Sequence, residues 1–164
     1  MSVQEPVSIQ ENSAGIALPL RLMAFDAEDL AIVSANLQDA VVQAADMAWQ
    51  PQARRFVMAL ARFDWVAAAH GRLERCGTGL HFDCVRHASF SGFALGQQAA
   101  PMTLLFIHFE PTDQPSGMVV LTFSGAAVIR LEVECLDAQM RDIGPRWAVD
   151  HLPGDAAGVG ETSP

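Results

Sequence analysis

The sequence predicts an α+β domain: a strongly bent antiparallel sheet or barrel of about six to seven strands, one N-terminal helix and one capping C-terminal helix. Three observations carry that expectation. Leu30, Val33 and Leu37 fall at i, i+3 and i+7, one apolar stripe of a helix. Between residues 40 and 133, short apolar-rich segments follow one another with only turn signals between them, and hairpin-linked strands make an antiparallel sheet. After Val133 the apolar spacing lengthens again towards a helical period.

Taken in order, LPLRLMAFD reads as a short strand ending at Asp26. Asp26 suits a helix N-cap, and Glu28 and Asp29 favour the positive end of the helix dipole over residues 27–38. AVVQAADMAW and RFVMALARFDW flank QPQAR, a hairpin loop. A further strand follows Gly77 and Gly79, and LHFDCVRH (80–87) reads as part of it. MTLLFIHFE and MVVLTF flank a loop with two prolines. In AVIRLEVEC, Ile129, Leu131 and Val133 alternate with Arg130, Glu132 and Glu134, the period of a half-buried strand. Val133, Leu136, Met140 and Ile143 then suit one helix face, ended by Gly144 and Pro145. So many strands in a small domain tend to curl. The resulting arrangement resembles pleckstrin-homology-like domains in architecture alone, which carries no function.

The length of 164 residues fits one domain, with residues 1–16 expected as a disordered tail, 17–152 as the domain and 153–164 as a flexible tail. Hydrophobic residues make up 51%, enough for a core without metal or disulfide. A net charge of −9 argues against nucleic acid and against anionic membrane surfaces as partners. Cys76, Cys84 and Cys135 are odd in number and irregularly spaced, which reads as reduced thiols in a cytoplasmic protein. The N-terminus shows no basic segment followed by an apolar run, so no leader is expected.

The segments LQDAVVQAADMAW, RFDW, LHFDCV and IRLEVECLDAQMRDIG resemble, in order, an uncharacterised family of small alphaproteobacterial proteins catalogued as a domain of unknown function. The resemblance covers about residues 18–147. It implies no catalytic residue. The family pattern places an acidic residue after RFDW, where this chain has Val66.

Candidate chemistry is sparse. If LHFDCVRH is one strand, Leu80, Phe82 and Cys84 share a face, and His81, Asp83, Val85 and His87 share the other. A Cys/His zinc site then fails geometrically, and no metal or cofactor is expected. In RFDW, Arg62 and Asp64 read as an ion pair at the core's rim, or as polar groups of a ligand pocket with Trp65 as its wall. Two functions follow. The first is a non-catalytic soluble binding or adaptor module, with a protein partner or a second copy of itself as the occupant. The alternative is a small-molecule-binding accessory protein or small enzyme, with a site where Arg62, Asp64, Trp65, His81 and Asp83 converge.

Overall fold

The computed structural model describes residues 19–154. Ten antiparallel strands form one continuous sheet, β1 (Arg21–Ala24), β2 (Val41–Val42), β3 (Met47–Gln50), β4 (Arg55–Phe63), β5 (Glu74–Phe82), β6 (Val85–Ser91), β7 (Met102–Pro111), β8 (Gly117–Phe123), β9 (Val128–Val133) and β10 (Ala138–Ala148). The helices are α1 (Ala27–Asn36) and the single-turn α2 (Trp65–Ala69). The sheet runs β1-β10-β5-β4-β2-β7-β8-β9-β6, with β3 paired to β4 off this path. It does not close into a barrel.

Two half-sheets make up this path. β1, β10, β5 and β4 form one, and β7, β8, β9 and β6 the other. In the strand path β2 joins them, through Val41 opposite Ala61 on one side and Val41 and Val42 opposite Thr103 and Met102 on the other. The halves fold over one shared core. Met58, Leu60, Leu80 and Met140 come from the first, and Leu104, Leu121, Ile129 and Leu131 from the second. Rings bridge the two, in a chain Phe56–Phe90–Phe93–Phe123 with centroids 5.9, 6.0 and 6.4 Å apart. Helix α1 lays Leu30 and Val33 into the same core. Asp26 caps it, accepting from the Asp29 N–H at 2.8 Å. Ser34 Oγ accepts the Ile107 N–H at 2.9 Å, which ties α1 to β7 where that strand's register with β8 shifts.

The expected fold needs correction on three counts. Among the described residues, the sheet has ten strands and not six to seven, it is open, and no C-terminal helix caps it. Residues 138–148 are the longest strand, with Ala138, Met140 and Asp142 inward and Gln139, Arg141 and Ile143 outward. The helical reading joined Leu136, which lies in the turn before β10, to Met140 in the strand. A step of four residues satisfies both periods, 3.6 and 2. LHFDCVRH is likewise two strands, broken at Cys84, whose φ of 62° starts a turn. Val85 is therefore core and not surface. The expected tails fall, apart from residues 153 and 154, outside the described residues.

Candidate functional site

The structure separates the five candidate residues into two places. Arg62, at the inner end of β4, follows Phe56, Met58 and Leu60 on the core face and is fully buried. Its guanidinium donates two bonds to one carboxylate, Nε to Asp142 Oδ1 at 3.0 Å and Nη2 to Asp142 Oδ2 at 2.8 Å. Asp142 also accepts from Thr78 Oγ1 at 3.0 Å and from the Leu20 N–H at 2.9 Å. Burial alone would push the Asp142 carboxyl up. The hydrogen bonds and charge of Arg62, with those of Leu20 and Thr78, outweigh it and hold the group below its ordinary value.

Asp64 lies beside this pair, 4.0 Å from Arg62 Nη2, and caps α2 by accepting the Ala67 N–H at 2.9 Å. Its other oxygen accepts from Arg146 Nη1 at 3.0 Å, and the same nitrogen donates to Glu74 Oε1 at 3.0 Å. Burial would lower the Arg146 pKa, but the Asp64 hydrogen bond and charge raise it. Arg146 reaches inward because β10 changes register between Asp142 and Arg146. Gly77 admits that bulge, since a Cβ there would run into the Gly144 carbonyl. Trp65 is not a wall of this cluster: its Nε1 donates to the Gln38 carbonyl at 3.1 Å, and its ring stands edge-on to Phe63. Arg62, Asp64, Asp142, Arg146, Thr78 and Glu74 thus form a mutually bonded plug at the end of the first half-sheet.

His81 and Asp83 belong elsewhere. His81 faces outward from β5, opposite Val57 and Gln139. Asp83 lies just past the strand, where it accepts from Arg55 Nε at 2.7 Å and Nη2 at 3.3 Å, with His81 Nε2 3.5 Å away. Donating to Asp83, together with that carboxylate's charge, raises the Arg55 pKa. The structure brings Arg62 to Asp64 and His81 to Asp83, and leaves the two pairs on opposite faces of the sheet. Among the described residues, no group of three His, Cys, Asp or Glu side chains could hold a metal ion.

His81 lines a groove of about 1030 Å³ on the outer face. Its floor is Gly79 with Gln139 and Arg141, and one wall is the edge strand β1 with Arg21 and Met23. Phe25 and the acidic first turn of α1, Glu28 and Asp29, close the other end. Met23, Phe25 and Ile143 are 54%, 57% and 58% exposed, and all three border the groove. The sequence reading missed this surface because Ile143 was placed on the buried face of a helix. Strand parity with Arg141 was the signal that would have found it.

Residues 20–155 match a family described as "Protein of unknown function (DUF2948)". The chain belongs to the DUF2948 family. No curated protein and no solved structure matches it. Membership therefore gives this DUF2948 chain no activity, and any function has to be argued from its own surface. Among the described residues of this DUF2948 chain, no helix is long and apolar enough to cross a membrane.

Proposed function

We propose that this DUF2948 chain is a non-catalytic binding module that receives an extended segment of a protein partner along the β1 edge and across the outer groove. The carrying observation is the set of three large apolar side chains, Met23, Phe25 and Ile143, each more than half exposed around one concavity. Among the described residues, β1 has β10 as a neighbour on one side only, so a partner strand added beside it gains backbone hydrogen bonds. Its alternate side chains would rest on Met23 and Phe25. Arg21 and Arg141 on one flank and Glu28 and Asp29 on the other give the groove both signs of charge, which fixes the direction of the bound segment. The Arg62 cluster is read as structural: its carboxylates are bonded to arginines, a hydroxyl and backbone N–H groups of the same chain, leaving none free for a substrate. Three cysteines, odd in number and irregularly spaced, support placement in a largely reducing compartment, the cytoplasm.

Affinity capture from the source organism tests this, with mass spectrometry of proteins and metabolites. Wild type should retain a protein that both Met23→Glu and Ile143→Glu lose, since a charge in an apolar contact is costly. Equal capture by wild type and both variants would overturn the groove as the docking surface. A metabolite retained by wild type and lost on Arg141→Ala would replace this reading with the small-molecule one.

A further inference from the structure

We propose that Cys84 and Cys135 form a reversible disulfide that staples the β5–β6 turn to the β9–β10 turn. Two backbone bonds bracket the pair: Glu134 N–H donates to the Cys84 carbonyl at 2.9 Å, and Asp83 N–H donates to the Asp137 carbonyl at 2.9 Å. Residues 83–84 therefore run beside 134–137 at the spacing of paired strands, roughly 5 Å, the range a disulfide spans. Cys84 and Cys135 lie between those two bonds, close enough for the Cys135 side chain to bear on the Cys84 thiol. The left-handed φ of 62° at Cys84, uncommon for a residue with a side chain, takes it out of the alternation that would have sent it inward after Phe82. Both thiols are partly exposed, whereas Cys76 is buried beneath β4 and β10.

The chemistry is exchange with a low-molecular-weight disulfide, RSSR. Burial, then the neighbouring Cys135 side chain, push the Cys84 thiol up to about 11. The exchange balances identically from either thiol. Starting at Cys135, the thiolate attacks one sulfur of RSSR; a Cys135–S–S–R bond forms and RS⁻ leaves, taking the proton that Cys135 gave up. Cys84 then attacks the Cys135 sulfur, the bond to SR breaks, and the second RS⁻ takes the Cys84 proton. Two protein thiols lose two electrons and RSSR becomes two RSH. Excess RSH reverses the sequence.

The test is equilibration of the purified full chain in buffers of defined reduced-to-oxidised glutathione ratio, followed by acid quench, alkylation and peptide mapping. The expected result is a Cys84–Cys135 linked peptide that grows with the oxidised fraction and disappears on returning to excess thiol, with Cys76 alkylated throughout. Cys84→Ser should instead accumulate glutathione on Cys135, while Cys76→Ser should leave the linkage unchanged. Native chain that yields no linked peptide at any ratio, or links only through Cys76, or links only in denaturant, would overturn the proposal. Mapping of the wild type alone decides between these results should a serine variant fold poorly.

Discussion

Removing one partner from the Arg62–Asp142 pair strands the other in the core. Both side chains are at most 2% exposed, and four hydrogen bonds converge on the carboxylate. Asp142→Leu should cost about 3–5 kcal/mol, as should Arg62→Met, because each leaves an uncompensated buried charge. The double variant should cost less than the sum of the two, and urea denaturation of all four proteins measures that coupling. The pair also sets an acid limit. The Asp142 carboxyl is lowered in the folded chain from its ordinary value of 3.8, so the unfolded state binds the proton more readily. Its contribution is full above that ordinary value and is lost as pH falls through the lower, folded one. Denaturation midpoints below about pH 4 should therefore drop more steeply in wild type than in the double variant. A simpler contrast lies in β9, where Leu131 is fully buried and Glu132 is exposed. Leu131→Ala should cost about 2–5 kcal/mol, and Glu132→Ala should stay within about 0.5 kcal/mol.

At the scale of elements, what the sequence disclosed depended on how far each signal reached along the chain. The cap of α1 at Asp26 and the alternation of Ile129, Leu131 and Val133 are local, and both are visible in the spacing. The nature of residues 138–148 is not local. Gly144 and Pro145 look like a helix terminator, but they sit in the bulge of a strand, beside a glycine that lies far back in β5. Arg62 and Asp64 read locally as an ion pair at the core's rim, whereas both are fully buried and the partners they bond, Asp142 and Arg146, come to them only through the β10–β5–β4 register. Gly77→Ala tests that register. A methyl group against the Gly144 carbonyl should force β10 away from β5, with a loss of amide hydrogen-exchange protection concentrated in residues 138–148. Protection lost evenly over all strands would show that the bulge is not what the glycine serves.

For the molecule as a whole, charge and surface divide the possible partners. With 19 acidic residues against ten basic ones, the long-range field repels phosphate. Fluorescence anisotropy with mixed-sequence DNA and RNA should show no sub-micromolar binding at an ionic strength of about 150 mM. In the proposed docking mode, attraction comes instead from short-range apolar contact at the outer groove.

The position of β1 has a consequence for how the chain is made. Leu20 and Asp142, 122 positions apart, exchange backbone and side-chain hydrogen bonds, and among the described residues β1 has no sheet neighbour other than β10. Of the described strands, the first to leave the ribosome must wait for the last. Until then Leu20, Leu22 and Ala24 have no sheet neighbour to cover them, while β7, β8 and β9 can already pair as successive hairpins. Synthesis thus favours the second half-sheet as the early folding unit. Ribosome-bound chains truncated before Ala138 should protect β7–β9 from protease while leaving residues 19–26 open to cleavage.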